Sequence, residues 1–215
     1  MKNLSRAVLL TLFLLPSGLL RAQPSTGTAE TLHEGDLIFI HSNSSQAPAI
    51  EEATGSDWTH VGVLLSRSKS WYVAEAAQEV TLTPLEQFIA RGQKREYEVK
   101  RLKAWSAAPD KKALSRLTKW LLDNRGKKYD IYFEWSDRTM YCSEYVWKAY
   151  NYALRGRPVL SEPQKFSELK LEGPKAQELF SKRYVAAGKK LNQQEKIVTP
   201  VALFNSELLE TVPQP

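Results

Sequence analysis

The chain from residue 35 to 102 alternates short apolar runs with turn residues, a pattern typical of β-strands. Strands are predicted at residues 35–40, 59–65, 70–76, 80–82 and 97–102. Between the first two, residues 47–54 favour a short helix that ends at Gly55. This part of the chain is therefore predicted to be mainly β.

The next part of the chain changes to a helical period. Residues 109–125 place leucines at helical spacing and stop before Gly126. A second helix is predicted to begin at or just before Cys142 and to end around Gly156 and Pro158. Its apolar positions recur at helical spacing and form one face: Cys142, Tyr145, Val146, Ala149, Tyr150 and Ala153. The pattern predicts an α+β protein with a helix starting at the cysteine.

The tail carries weaker signals. Residues 175–184 have a weak helical pattern, and residues 198–209 are predicted to be extended. We expect residues 23–31 to be a flexible lead-in and residues 32–215 to form a single domain, because this length suffices for one buried core.

The N-terminus resembles a targeting segment. Lys2 and Arg6 precede an apolar stretch at 7–20, and the small residue Ala22 offers a cleavage site. The stretch is short for a transmembrane helix. Residues 1–22 are therefore predicted to be a signal peptide, and the protein is expected to be exported, periplasmic or extracellular, with no transmembrane segment in its mature form.

Charge adds little to this picture. The chain has 30 basic and 24 acidic residues, and loss of residues 1–22, with three basic residues and no acidic one, leaves a net charge of +3. No repeat of basic and aromatic residues supports nucleic-acid binding. We expect a monomer.

Cys142 is the only cysteine. An exported protein with one cysteine cannot form an internal disulfide, and a free thiol is prone to oxidation in such a compartment. Cys142 also stands at a predicted helix start, where the helix dipole and free N–H groups lower a thiol pKa. It is a candidate nucleophile; the alternative is a small buried core residue.

A thiol nucleophile needs a base, and the chain has three histidines, His33, His41 and His60. Only His60 lies inside a predicted strand, with Gly62 on the same face leaving space beside the ring. His60 is therefore the candidate base. A histidine that is simply satisfied within the core is the alternative.

Glu75 is the candidate partner that orients His60. If residues 66–69 form a four-residue hairpin loop, Leu65 pairs with Ser70 and His60 faces Glu75 directly. The competing partners are acidic residues elsewhere in the chain: Asp36, Glu79 and Glu144.

Several runs of sequence carry a family resemblance. These are GDLIF at 35–39, WTHVGV at 58–63, VAEA at 73–76 and YCSEYVWKAY at 141–150, supported by GKKYD at 126–130 and the tail runs VTPV at 198–201 and NSELLE at 205–210. Together they resemble the permuted NlpC-like cysteine hydrolases, specifically the YiiX-like group, over most of the predicted mature chain.

The resemblance implies a circularly permuted papain-like fold, with a β-barrel-like sheet packed against the nucleophile helix. It implies Cys142 as nucleophile, His60 as general base and Glu75 as orienting residue, with Tyr129 and Ser143 as candidate substrate contacts. No metal or cofactor is expected.

The expected activity is hydrolysis of an amide bond through a Cys thioester, with a cell-wall (peptidoglycan) peptide as the first substrate candidate. Two alternatives remain open at this point. One is a lipid or fatty-acyl amidase or acyltransferase with the same residues, and the other is a non-catalytic papain-fold binding module.

Overall fold

The computed structural model describes residues 32–155 and 160–213. The predicted signal peptide and lead-in, at residues 1–22 and 23–31, lie outside the described residues. So do Gly156 and Pro158, where the second helix was expected to end.

A six-stranded antiparallel sheet forms the centre of the fold, in the order β4-β3-β2-β1-β5-β8. Its strands are β1 (Leu37–Ser42), β2 (His60–Arg67), β3 (Ser70–Ala76), β4 (Val80–Pro84), β5 (Gly92–Leu102) and β8 (Leu209–Thr211). The order is linear across the described strands, so the sheet is open and not the closed barrel that "barrel-like" would suggest. A separate two-stranded ribbon pairs β6 (Gln164–Lys165) with β7 (Lys196–Ile197).

Six α-helices accompany these strands in the described residues. They are α1 (Ala47–Thr54), α2 (Leu85–Ala90), α3 (Lys111–Asp123), α4 (Cys142–Ala153), α5 (Pro174–Ala186) and α6 (Pro200–Phe204). Helix α4 packs on β2 and β3, α3 packs on α4, and α1 packs on α5. The α+β prediction is confirmed, and α4 begins at Cys142 as expected.

The two faces of the sheet bury different apolar sets. Leu37 and Phe39 belong to the apolar cluster that includes the buried residues of α4. Ile38 and Ile40 belong to a second cluster that includes Phe88 of α2. This alternation follows from the two-residue side-chain period of a strand. Because both faces are covered, the strands read as nearly continuous apolar runs, as the sequence showed.

The β2–β3 hairpin differs from the predicted register. Its loop is the two-residue turn Ser68–Lys69, with φ of 49° and 66°, not a four-residue loop. Both positive φ values are those of a type I′ turn, whose twist matches the flanking strands. Leu65 therefore pairs with Tyr72. The predicted register was wrong by two residues, and an even shift keeps every side chain on its predicted face.

The tail was predicted to be extended over residues 198–209, and this was wrong. Thr199 caps α6, accepting a hydrogen bond from the Ala202 N–H, and Pro200 takes the first helical position. Within residues 198–209, only Leu209 belongs to a strand, as the first residue of β8, which pairs with β5. The short helix α2 was not predicted at all. Among the described residues, no helix combines the length and apolar character needed to cross a bilayer.

A buried ion pair joins the start of β1 to β5. The Arg101 guanidinium donates to both carboxylate oxygens of Asp36 at 2.8 and 2.7 Å, and Asp36 also accepts from the His33 N–H at 2.7 Å. The Asp36 side chain is 2% exposed. Removing one member of such a pair leaves an uncompensated buried charge.

The Asp36→Asn variant is expected to lose about 3 kcal/mol of unfolding free energy, because it removes the buried charge that the Arg101 guanidinium binds. Urea unfolding followed by circular dichroism measures the change. Glu86→Gln is the matched control, since Glu86 pairs with Arg95 at an exposed surface, and it should change stability little. Equal effects of the two changes would contradict the assigned role of Asp36.

Candidate active site

Cys142 is the first residue of α4 and is 3% exposed. Tyr141 precedes it in an extended conformation, and the Glu144 carboxylate accepts from the Tyr141 N–H, which completes a cap of the helix. The thiol is therefore held where backbone N–H groups of the first turn have no helical partner. The N–H groups of Ser143 and Val61 point to the sulfur.

His60 is the first residue of β2 and stands beside Cys142. Its Nε2 lies 2.6 Å from the Glu75 carboxylate, and its ring is also hydrogen-bonded to the Cys142 thiol. Because Nε2 is engaged with Glu75, the nitrogen left for the sulfur is Nδ1. The structure thus brings together the three residues that the sequence proposed as catalytic.

Glu75 is fully buried on β3 and holds three partners. Besides His60, its other oxygen accepts from the Thr83 hydroxyl at 2.5 Å and from the Arg91 guanidinium. The competing acids are engaged elsewhere: Asp36 with Arg101, Glu79 with Lys128, and Glu144 with the start of α4 and Lys148.

Gly62 explains how Glu75 reaches His60 despite the corrected register. Extending the observed pairing places Glu75 beside Gly62, so that His60 and Glu75 are diagonal neighbours. A Cβ on Gly62 would lie 2.2 Å from Val73 Cγ1 and 3.3 Å from the Glu75 Cβ. The space that the missing side chain leaves is therefore filled by the β3 side chains of Val73 and Glu75.

The electrostatics of the pair favour charge separation. Burial by itself would lower the pKa of His60, but the Cys142 sulfur and the Glu75 carboxylate raise it to about 9. Burial likewise opposes ionisation of Cys142, yet the His60 cation and the two backbone N–H groups lower the thiol pKa below its ordinary value. Burial also opposes ionisation of Glu75, but His60 and Arg91 lower its pKa overall. The shifts of His60 and Cys142 therefore both favour the thiolate–imidazolium form of the pair.

Tyr129 lies on the other side of the thiol. Its hydroxyl accepts from Gln46 Nε2 at 2.8 Å and is also hydrogen-bonded to Cys142. Arg183 of α5 donates to the Gln46 oxygen at 2.9 Å. Burial and the neighbouring sulfur raise the pKa of Tyr129 well above its ordinary value, so the hydroxyl remains a proton donor.

The Ser143 hydroxyl is hydrogen-bonded to the tail of the chain. Its hydroxyl donates to the Val198 carbonyl at 2.7 Å, and the Val198 N–H donates to the Tyr141 hydroxyl at 3.1 Å. These two bonds tie the tail to the start of α4. A contact between Ser143 and substrate stays a prediction.

Two cavities lie near the catalytic residues. The polar one, of about 530 Å³, is bordered by His60, Tyr129, Arg91 and the loop at residues 42–46. The second is a narrow apolar pocket of about 30 Å³, lined by Cys142 together with α1, α5 and the tail. Its apolar lining residues include Ala49, Ile50, Ala53, Phe133, Phe180 and Ile197.

Sequence reasoning missed the residues that support the catalytic three. Thr83 and Arg91 fix Glu75, and Gln46 and Arg183 fix Tyr129. None stands in a motif, and they come from four separate parts of the chain. Arg183 lies 54 positions from Tyr129 by residue number, so only the packing of α5 against α1 brings it near.

The chain is similar in sequence and fold to known proteins. The family described as "Permuted papain-like amidase enzyme, YaeF/YiiX, C92 family" matches residues 31–213. The chain is 42% identical over 178 residues to the uncharacterized protein YiiX of Escherichia coli (strain K12), covering 83% of this chain and 84% of that protein. A crystal structure of "metalloprotein yiiX" from Escherichia coli O157:H7 has a TM-score of 0.78 at 39% identity, covering 86% of this chain and 98% of that one.

Alkylation of Cys142 tests the thiolate–imidazolium pair. The lowered thiol pKa predicts that iodoacetamide labels the wild type well below the reference cysteine pKa of about 8.5. In His60→Gln the thiol loses its cation and stays protonated to higher pH, so labelling at pH 6.5 should slow by at least about tenfold. The measurement is the labelling rate against pH by intact mass. His33→Gln, outside the site, should keep the wild-type profile, and identical profiles in all three proteins would refute the pair.

Proposed function

This chain belongs to the YaeF/YiiX family of permuted papain-like amidases, and we propose that it is a cysteine amidase in which Cys142 is the nucleophile. One observation carries the proposal. Cys142, His60 and Glu75 form a continuous hydrogen-bonded line, from a thiol at a helix N-terminus to a buried carboxylate. This arrangement has the roles of nucleophile, base and orienting group.

The proposed reaction begins with attack of the Cys142 thiolate on the amide carbonyl. The Tyr129 hydroxyl and the N–H groups at the start of α4 are the donors available to the oxyanion. The His60 imidazolium then gives its proton to the leaving nitrogen, and a thioester forms on Cys142. Neutral His60 next takes a proton from water as the water oxygen attacks the thioester carbonyl. The carbon–sulfur bond then breaks, which releases the carboxylic acid and restores the Cys142 thiolate beside the His60 imidazolium.

The position of His60 assigns the two sides of the substrate. A general acid must reach the leaving nitrogen, so the amine occupies the polar cavity that His60 borders. We assign the acyl group to the apolar pocket, which Cys142 lines. Because the cavity beside His60 has mostly polar lining residues and this pocket is apolar, the site suits an amide between an apolar acyl group and a polar amine.

The apolar pocket favours an apolar acyl chain as the acyl part of the substrate over a cell-wall peptide. A cavity of about 30 Å³ accepts roughly two water-sized groups, which corresponds to a short or narrow chain. Export, proposed from residues 1–22, would place the enzyme near both lipids and peptidoglycan. A non-catalytic module has less support, because such a module has no need of a thiol with a lowered pKa.

The related crystal structure is described as that of a metalloprotein. This raises the question of whether the catalytic residues of the present chain suit a metal ion. Nε2 of His60 is bonded to Glu75, and the ring also bonds the Cys142 thiol. Neither nitrogen is directed to a third ligand. The group of potential ligands found in the described residues is His41, Glu51 and Asp57, which shares no member with the catalytic set. No step of the proposed reaction passes through a metal.

A matched pair of amides tests the function and the acyl side together. Wild type is expected to cleave N-butanoylethanolamine with a kcat/KM at least about tenfold above that for N-succinylethanolamine, because the succinyl carboxylate must be desolvated in an apolar pocket. Release of ethanolamine, followed by mass spectrometry, is the measurement. Cys142→Ala should lose at least about a thousandfold with either substrate.

A pair of variants tests whether the preference for the butanoyl group arises in the apolar pocket. Ile50→Asp places a charge in the pocket lining and should abolish the preference for butanoyl, whereas Val185→Asp makes a similar change at an exposed position of α5 and should not. Cleavage of neither amide, nor of peptidoglycan peptides, by wild type would overturn the amidase proposal. Equal cleavage of both amides would overturn only the acyl assignment.

A further inference from the structure

Three potential metal ligands converge on one side of α1, away from Cys142. His41 lies in β1 where its pairing with β5 shifts register, between Ile40 and Ser42. Glu51 is on α1, and Asp57 is in the loop between α1 and β2. One ligand atom from each of the three lies within 4.8 Å of the others. Bulges of this kind often redirect a side chain toward a site.

The spacing of these atoms suits a shared ion. His41 Nε2 and a Glu51 oxygen are 3.4 Å apart. Ligand atoms placed about 2.1 Å from a tetrahedral ion are separated by roughly 3.4 Å, so this pair is already at the required spacing. The Gln93 amide lies 3.0 Å from the same nitrogen. Here the Gln93 amide nitrogen donates to His41 Nε2, and a metal ion bound at that nitrogen would replace this hydrogen bond.

The charges of the group also favour a cation. Within residues 32–155 and 160–213, Glu51 forms an ion pair only with His41, and Asp57 forms none. Two carboxylates this close repel each other, and a divalent ion would relieve the repulsion.

We propose that His41, Glu51 and Asp57 bind a divalent transition-metal ion, with Zn²⁺ as the representative. An imidazole combined with carboxylates favours such an ion, whereas Mg²⁺ and Ca²⁺ prefer ligand sets made of oxygen alone. The site is separate from the catalytic centre and takes no part in the chemistry.

The metal fastens α1 to the end of β1 and to the loop that enters β2. This helix lies next to two parts of the active site. Gln46, just before α1, bonds the Tyr129 hydroxyl, and Ala49, Ile50 and Ala53 line the apolar pocket. The loop after α1 leads directly to His60. Metal binding therefore stabilises the wall of the site and raises the thermal stability of the whole chain.

Zinc titration of the full chain tests the site. The Cys142→Ser variant is the base protein, because a thiol beside a histidine is itself a zinc site. Isothermal titration calorimetry with ZnCl₂ should give one ion per chain, and zinc should raise the Tm reversibly on addition of EDTA. His41→Gln and Glu51→Gln, each in the Cys142→Ser protein, should weaken binding at least tenfold. His33→Gln should bind as the base protein does.

Three outcomes would overturn the proposal. They are absence of zinc binding to Cys142→Ser, equal binding after loss of His41 or Glu51, and an equal Tm increase with MgCl₂. Circular dichroism of each variant without metal checks that it folds. None of these measurements depends on amide cleavage, so they stand or fall separately from the amidase proposal.

Discussion

The site depends on a buried negative charge, Glu75, placed two residues away from direct opposition to His60. A carboxylate at this depth is stable only because Arg91, Thr83 and His60 all bind it. The Glu75 charge fixes the orientation of the His60 ring and favours its protonated form, the imidazolium. That cation in turn lowers the pKa of the Cys142 thiol. The reactivity of the sulfur is thus set by a group on another strand, through a ring that touches both.

The fold brings strands and a helix together at the site of these contacts. The sheet supplies His60 and Glu75 from adjacent strands, and α4 supplies Cys142 from its first turn. The tail is tied to that turn through Val198, so the same segment that closes the fold also walls the apolar pocket. A cavity with mostly polar lining residues borders His60, and a narrow apolar pocket borders Cys142.

Much of this could be predicted from the sequence because strong local signals carried it. The lone cysteine at a helix start, the strand histidine and the strand glutamate all lie in regular elements with clear periods. The hairpin register was wrong, since Ser68–Lys69 lacks the glycine that usually marks a two-residue turn, but the error of two residues kept Glu75 on the correct face. Gln46 and Arg183 could not be found, because their contacts depend on how α1 packs on α5. The cap at Thr199 followed by Pro200 was a readable signal for α6 that the extended assignment overlooked.

Intact-protein and peptide mass spectrometry after rapid acid quench tests the central claim most directly. During turnover of an N-butanoyl amide, the account predicts a butanoyl group on the peptide that contains Cys142, labile to hydroxylamine as a thioester is. The adduct should be absent from Cys142→Ser and strongly reduced in His60→Gln. Amide cleavage with no acyl group on Cys142 at any quench time, and persisting in Cys142→Ser, would contradict the account.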